Sequence, residues 1–206
     1  MNDNNETIEK MRKMKFYGMH RAFSMNIDKG QNEKYTTDEM IAHLIQSEWE
    51  DRHNRGIQRH VKNARFRYHA SIEQIIYEEH RQLDKNQILR FAQCEFINKH
   101  QNLLITGSTG TGKSYLASAI GHQACLMGYR TLYFNTSKLF SQLKMAKADG
   151  SYVREINRIE KQHLLILDDF GIQVLDTLNR TALMEIIEDR HGKSSLIITA
   201  QVPVSK

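Results

Sequence analysis

The chain contains few residues that interrupt helices or cross-link chain segments. Its 206 residues include one proline, Pro203, and two cysteines, Cys94 and Cys125. A single proline argues against an all-β fold with many tight turns and favours long helices. Two cysteines without metal-like spacing exclude a disulfide scaffold and indicate a reducing environment, so we predict a cytoplasmic protein.

Long apolar runs are also missing. No run approaches the roughly 20 residues that cross a bilayer. The opening sequence MNDNNETIEK lacks the apolar segment of a secretion signal, so we expect no membrane partner. The composition, 40% hydrophobic and 26% charged, is that of a globular protein. The net charge of +5 is compatible with a polyanionic partner.

The first hundred residues have the pattern of helices throughout. Thr36 and Glu39 stand at capping-box spacing ahead of a helical apolar pattern, and Ser71 and Gln74 repeat that spacing. Gly30 marks a break between an early helix and this region.

The pattern changes after residue 100. Short apolar runs occupy residues 103–106, 130–134, 163–167 and 195–199. Helix-length stretches lie between them, at about 113–127, 137–160 with a break near Gly150, and 178–191. Strands that alternate with helices predict an α/β fold, a parallel sheet flanked by helices. The joining segment carries apolar residues that we expect to pack onto this core: Leu83, Ile88, Leu89, Phe91 and Phe96.

A phosphate-binding motif follows the first predicted strand. The sequence GSTGTGKS matches G-x-x-x-x-G-K-[ST], a loop whose backbone N–H groups cradle phosphates. A chance glycine-rich turn is the alternative, but a strand before it and the helix-forming YLASAI after it favour the phosphate loop. The predicted ATP-binding residues are Gly107, Ser108, Thr109, Gly110, Thr111, Gly112, Lys113 and Ser114. Lys113 would also serve catalysis by facing the terminal phosphates, and the Ser114 hydroxyl would bind Mg²⁺.

Two carboxylates end the third predicted strand, LLILDD. Burying a charge is costly unless an opposite charge compensates it. Two adjacent carboxylates at the exit of a buried strand therefore indicate a functional site. We predict that Asp168 helps to hold Mg²⁺ and that Asp169 is catalytic by orienting the attacking water. A cap by Asp169 on a turn with Gly171 is the alternative. The predicted cofactors are therefore ATP and Mg²⁺.

The fourth predicted strand ends in Thr199, Ala200 and Gln201. If this strand lies between the first and third, a polar side chain at its exit would face the terminal phosphate, and we therefore include Gln201 among the catalytic residues. A simple turn before Pro203 is the alternative.

Two segments are basic and free of acidic residues. From Arg52 to Ile72 no acid occurs, and a shorter run extends from Lys10 to Arg21. Such runs can neutralise DNA phosphates, although a solvated helix face is the usual alternative. The predicted DNA-binding residues are Arg52, Arg55, Arg59, Lys62 and Arg65. Nothing in the sequence indicates base-specific contacts.

Three segments together resemble one known family. GSTGTGKSYLA, LLILDDFG and SLIITAQVPVSK are similar to the IstB-like helper ATPases of bacterial insertion sequences. These belong to the initiator and helicase-loader branch of AAA+ ATPases, with DnaC and DnaA. The resemblance spans essentially the whole chain, including MKFYGMHRAF. It implies a P-loop AAA+ core in which the fourth strand lies between the first and third. It also implies that Gln201 is the sensor residue and that residues 136–160 are the initiator-type insertion, which lines a DNA channel in relatives.

The resemblance also implies a function and a division of the chain. It implies an ATPase that oligomerises on double-stranded DNA and regulates or recruits a transposase. A replicative helicase loader is the nearest alternative, and a metabolic phosphotransferase or a non-hydrolysing scaffold are more distant ones. We predict a helical DNA-binding and oligomerisation domain at 1–79, a linker helix at 80–100 and the ATPase core at 101–206.

The family pattern continues beyond Lys206 with a fifth strand, an arginine finger and a helical lid. With the C-terminal strand and lid absent, residues 1–206 are expected to bind ATP·Mg²⁺ weakly to moderately and to hydrolyse it barely detectably. Arg190, just before the fourth strand, is expected to have a structural or subunit-interface role instead of acting as the finger.

Overall fold

A computed structural model describes residues 3–30, 35–78, 83–172 and 174–201. The chain forms two compact units, Met1–Gln58 and Arg59–Lys206. Within the described ranges, every helix is too short or too polar to traverse a lipid bilayer. The functional boundaries at residues 79 and 100 stay predictions.

The described part of the first unit is helical. It contains α1 (Asp3–Lys13), α2 (Tyr17–Asp28) and most of α3 (Thr37–Ala64). The capping box is confirmed, because the Glu39 N–H donates to Thr36 Oγ1 at 3.3 Å and the Thr36 N–H donates to Glu39 Oε2 at 2.8 Å. The predicted break is also present, since Gly30, just after α2, has a φ of +60°.

A buried carboxylate joins α2 to α3. Glu48 of α3 accepts hydrogen bonds from the Gly18 N–H at 2.8 Å and the Met19 N–H at 3.3 Å, and so caps the start of α2. Burial alone would raise the pKa of Glu48, but hydrogen bonds from Arg52 and from these two N–H groups bring it below its ordinary value. Only glycine fits at position 18, because a Cβ there would lie 2.2 Å from the Ser47 carbonyl oxygen.

The segment between α3 and the sheet corrects the prediction of continuous helix. Arg65 has a φ of +57° just after α3, and the chain then runs without helix to a 3-10 turn at Ile72–Gln74. The prediction that Ser71 caps a helix is wrong, because its side chain makes no capping hydrogen bond to the backbone of the turn. The irregular path lets the Phe66 ring pack over Gly121, where any Cβ would approach the ring to 2.6 Å.

Two short helices, α4 (Lys85–Ala92) and α5 (Glu95–Asn98), complete the approach to the sheet. Ile88 and Phe96 are buried as predicted, and Leu83 and Phe91 pack against the same core. The prediction for Leu89 is wrong, because 46% of this residue is exposed.

The second unit contains the predicted parallel sheet. Its strands are β1 (Leu103–Thr106), β2 (Thr131–Asn135), β3 (Leu164–Phe170) and β4 (Ser195–Ala200), in the order β1-β4-β3-β2. All three pairings are parallel. This confirms the α/β fold and the central place of the fourth strand. The carboxyl ends of β1, β4 and β3 therefore lie side by side, where ligands bind in such sheets.

Helices cover both faces of the sheet. They are α6 (Lys113–Leu126), α7 (Thr136–Ala148), α8 (Tyr152–Glu160) and α9 (Thr177–Arg190), and the predicted break between α7 and α8 falls at Gly150. Successive residues of β3 alternate between two apolar clusters. Leu164 and Ile166 pack with α6, whereas Leu165 and Leu167 pack with the cluster of α7, α8 and α9. Burial on both faces explains why the strand is apolar throughout.

Arg190 lies inside the second unit. Its side chain is 1% exposed and donates to backbone carbonyls at the ends of three elements: Ile159, Gln162, His163 and Ser195. Burial lowers the pKa of Arg190 to about 10, which still leaves the guanidinium charged at neutral pH. The structure therefore gives Arg190 the structural role expected from the sequence.

Replacing Arg190 with alanine should destabilise the second unit by on the order of 3 kcal/mol, because buried carbonyls lose their donor. Chemical denaturation monitored by circular dichroism measures the change. Arg180→Ala, on the exposed side of the same helix, is the matched control and should change stability by about 0.5 kcal/mol or less. Equal stability of the two variants would contradict the structural role.

Candidate functional site

The phosphate-loop sequence forms a tight turn between β1 and α6. Gly110 and Gly112 adopt φ values of +83° and +88°, a region that strains other residues. The Thr111 hydroxyl donates to the Ser108 carbonyl at 2.9 Å and closes the turn. The loop leads directly into the N-terminus of α6, whose unpaired N–H groups and dipole favour an anion.

Lys113, the first residue of α6, reaches back over this loop. Its Nζ donates to the Ser108 carbonyl oxygen at 2.7 Å. The ammonium group therefore lies at the mouth of the turn, and a phosphate can replace the carbonyl as its partner. The geometry suits the role predicted for Lys113.

Asp168 is fully enclosed within the site. Its side chain is 0% exposed and accepts hydrogen bonds from three hydroxyls. Ser114 donates to Oδ1 at 2.8 Å, Thr199 donates to the same oxygen, and Tyr133 donates to Oδ2. Burial, together with the hydrogen bond to Asp168, raises the pKa of Tyr133, so its hydroxyl stays protonated as a donor. The buried carboxylate is thereby fixed beside the start of α6.

The pair formed by Ser114 and Asp168 fits Mg²⁺. One hydroxyl and one carboxylate provide oxygen donors, which Mg²⁺ prefers, and Mg²⁺ binds through few protein ligands while keeping several waters. The described residues contain no cluster of three or more histidine, cysteine or acidic side chains for a transition metal. Ser114 and Asp168 are the residues that would hold the ion.

Asp169 turns away from the strand axis. Its φ is +58°, and its N–H donates to Thr199 Oγ1 at 3.0 Å. Oδ2 accepts from Asn135 Nδ2 at 3.0 Å and from Arg67 Nη1 at 3.1 Å. The carboxylate is thus held at the carboxyl edge of the sheet, next to Asp168.

The polar residue of β4 that contacts the acidic strand end is Thr199, whereas the sequence pointed to Gln201. Gln201 lies one residue beyond β4 and is exposed. Thr199, inside β4, instead contacts both neighbouring acidic residues. The role of Gln201 stays a prediction. The signal for Thr199 was a polar residue that directly follows the apolar run Leu196–Ile198 of a buried strand.

A cavity of about 520 Å³ adjoins the phosphate loop. Gly107, Thr111 and Lys113 form one wall, while Ile75 and Ile76 belong to its apolar lining. Its volume is in the range of small-molecule sites, and an apolar wall beside a phosphate loop suits the base of a nucleotide. Sequence reasoning missed this wall because the two isoleucines precede the loop by some thirty positions.

The predicted DNA-binding residues divide into two groups. Arg52 and Arg55 pair with acids of their own helix: Arg52 Nε lies 2.6 Å from Glu48 Oε1, and Arg55 Nε lies 2.6 Å from Asp51 Oδ2. Their guanidinium groups also lie over the rings of Phe16 and Tyr17. These contacts hold α3 to the start of α2, so part of the charge is already used within the first unit.

Arg59, Lys62 and Arg65 form the second group. All three are exposed, and none has an ion-pair partner among the residues that the structure describes. We call these three residues, of which Arg65 directly follows the helix, the basic end of α3. A phosphate backbone could contact it without displacing an ion pair between described residues.

Comparison with known proteins gives consistent matches. The family model described as IstB-like ATP binding protein matches residues 9–206. An insertion sequence ATP-binding protein of Sinorhizobium fredii, y4pL, is 38% identical over 97% of this chain and 81% of its own length. The ATP-binding protein of insertion sequence IS1162 from Pseudomonas fluorescens is 36% identical over 97% of this chain and 87% of its own length.

Solved structures share the fold at lower identity. The DnaC helicase loader is 24% identical, with a TM-score of 0.56 over 68% of this chain and 81% of that one. AMPPCP-bound DnaA from Aquifex aeolicus is 22% identical, with a TM-score of 0.59 over 66% of this chain and 42% of that one. These likenesses show that about two thirds of this chain shares the fold of these proteins.

Proposed function

Because this chain belongs to the IstB-like ATP-binding protein family, we propose that it is an ATP-dependent, DNA-binding helper of insertion-sequence transposition. The observation that carries the proposal is the contact between the phosphate loop and the acidic strand end. Ser114 Oγ lies 2.8 Å from Asp168 Oδ1, although the two residues are 54 positions apart. This contact supports one site in which the loop would hold phosphates and Ser114 and Asp168 would hold Mg²⁺.

Each residue of the site has a defined task in hydrolysis. The loop N–H groups and Lys113 bind the phosphates and stabilise charge that develops on the terminal one. Bound Mg²⁺ would supply further positive charge to the same oxygens. Asp169, held at Oδ2 by Asn135, orients a water and accepts its proton. Thr199 fixes the backbone between the two carboxylates.

The proposed DNA contact is made by the basic end of α3. Exposed cations that lack protein partners release counterions when they neutralise DNA phosphates, and this contact carries no base sequence information. Arg52 and Arg55 would contribute less, because they already bind Glu48 and Asp51. Double-stranded DNA is therefore the proposed nucleic-acid partner.

Replacing Arg59, Lys62 and Arg65 together with alanine should weaken duplex binding for all sequences alike. The log–log slope of affinity against salt should flatten by roughly 0.9 for each DNA phosphate that the variant no longer neutralises. Fluorescence anisotropy at several salt concentrations measures this slope. The control replaces Arg90, Arg180 and Lys193 with alanine. These three residues are exposed, and their replacement removes the same net charge at other positions. A slope that changes equally in both triple variants would show an effect of net charge alone.

We further propose that the protein forms ATP- and DNA-dependent homo-oligomers and regulates or recruits a transposase. The names of the relatives with 36–38% identity support an insertion-sequence role. The helicase-loader alternative has only a shared fold in its favour. Sedimentation velocity with ATP and duplex DNA tests assembly. Pull-down against the transposase and the replicative helicase of the same cell separates the two partners, and capture of the helicase alone would reject the transposition role.

A further inference from the structure

An arginine from outside the sheet lies against the two catalytic-site carboxylates. Arg67 Nη1 is 3.1 Å from Asp169 Oδ2 and 3.6 Å from Asp168 Oδ2. Its side chain is 48% exposed, whereas that of Asp168 is fully buried. One end of this ion pair is therefore open to solvent, and the other end lies at the centre of the proposed Mg²⁺ site.

The backbone that carries Arg67 is anchored on both sides. The preceding residue, Phe66, packs edge-on against Tyr133 with 6.3 Å between ring centroids, and it also contacts Gly121. Ala70, three residues later, is buried in the same core. Rotation of the Arg67 side chain alone can therefore bring its guanidinium to the carboxylates or release it.

Arg67 and Ser114, the other residue that would hold the ion, face different oxygens of Asp168. Ser114 contacts Oδ1, and Arg67 faces Oδ2. A guanidinium at this distance supplies positive charge to two acidic groups, and it repels a second cation that enters the same site. A guanidinium also binds phosphate through two parallel hydrogen bonds, so an exposed arginine can exchange a carboxylate partner for a phosphate partner.

We propose that Arg67 is a phosphate-released latch on the Mg²⁺ site. In the absence of phosphate, its guanidinium neutralises Asp168 and Asp169 and weakens Mg²⁺ binding. A phosphate group, of the nucleotide or of the DNA backbone, draws the guanidinium away and allows the ion to bind. The position of Arg67, two residues after the basic end of α3, places the latch beside the proposed DNA contact. This inference rests on the proposed function and adds regulation of the same site.

The first test measures Mg²⁺ binding without nucleotide or DNA. The thermal unfolding midpoint is followed against Mg²⁺ concentration for the wild type, Arg67→Ala and Arg67→Lys. Arg67→Ala should reach half-saturation at a roughly three- to tenfold lower Mg²⁺ concentration, because the competing cation is gone. Arg67→Lys should stay near the wild type because it keeps the charge. Arg90→Ala, an exposed arginine of the second unit, should not differ from the wild type. An unchanged or weakened Mg²⁺ response in Arg67→Ala would overturn the latch.

The second test identifies what releases the latch. Inorganic phosphate and a short DNA duplex are added in separate Mg²⁺ titrations. In the wild type at least one of them should lower the half-saturating Mg²⁺ concentration, and Arg67→Ala should show no further gain from it. An effect of phosphate alone assigns release to the nucleotide, and an effect of DNA alone assigns it to the duplex. Equal gains in wild type and Arg67→Ala would refute release through this residue.

A separate titration distinguishes failure of the latch from failure of the proposed function. A fluorescent ATP analogue is bound to the wild type at saturating Mg²⁺. No binding would defeat the proposed function itself. Binding of the analogue together with identical Mg²⁺ titrations for wild type and Arg67→Ala would defeat only the latch.

Discussion

The Lys113→Ala variant is expected to lose most of its affinity for ATP. The ammonium group lies at the mouth of the phosphate loop, where its present partner is a neutral carbonyl at 2.7 Å. A terminal phosphate would replace that partner with a charged one. Loss of a charge-assisted hydrogen bond costs about 1.5–3 kcal/mol, which weakens binding by roughly ten- to hundredfold.

Equilibrium titration with a fluorescent ATP analogue in the presence of Mg²⁺ measures the loss. Lys193→Ala removes an exposed lysine of the same unit and should bind the analogue like the wild type. Circular dichroism checks that Lys113→Ala keeps its fold, since the variant also loses a hydrogen bond within the loop. Equal, tight binding by wild type and Lys113→Ala would show that the loop does not hold the nucleotide phosphates.

Replacing the two adjacent carboxylates one at a time should have different effects on hydrolysis and on ATP binding. Asp169→Asn keeps the size of the side chain and an oxygen that can accept from Asn135, but it removes the proton acceptor. General-base catalysis contributes roughly 10²–10⁴ in rate, so the slow hydrolysis expected of the wild type should become undetectable in Asp169→Asn while ATP binding is retained. Asp168→Asn should instead weaken the Mg²⁺-dependent part of ATP binding, because one of the two predicted ion ligands is changed.

Single-turnover phosphate release with protein in excess detects slow hydrolysis, and we would measure it for the wild type, Asp169→Asn and Asp168→Asn. Analogue titrations with and without Mg²⁺ complete the comparison. The assignment requires normal binding with lost hydrolysis in Asp169→Asn, and a lost Mg²⁺ effect in Asp168→Asn. The opposite pattern would exchange the roles of the two residues. Unchanged hydrolysis in Asp169→Asn would instead favour a purely structural role for this carboxylate.

Local sequence determined the phosphate loop and the sheet. A short apolar run, a glycine-rich turn and a helix follow one another within β1, the loop and α6, so neighbouring residues contain the whole signal. The acidic end of β3 was equally readable, because charge at the exit of a buried strand needs a partner.

Part of the pairing in the basic run was also readable from spacing. Glu48 and Arg52 stand four residues apart on α3, as do Asp51 and Arg55, and such pairs meet on one helix face. The acid-free run begins after Asp51. Its first two arginines pair with Glu48 and Asp51, which precede the run. The spacing therefore indicated which cations of α3 pair with acids of the same helix.

Tertiary structure alone decided which groups complete the site. Arg67 contacts Asp169 across 102 positions of sequence, and Thr199 of β4 reaches both acidic residues of β3. Ile75 and Ile76 line the cavity only because an irregular segment returns them to the loop. No periodicity encodes such contacts, because they depend on where separate elements pack. Motif chemistry and hydrophobic pattern are local properties of a sequence, whereas the partner of a charged side chain is fixed only when distant segments fold together.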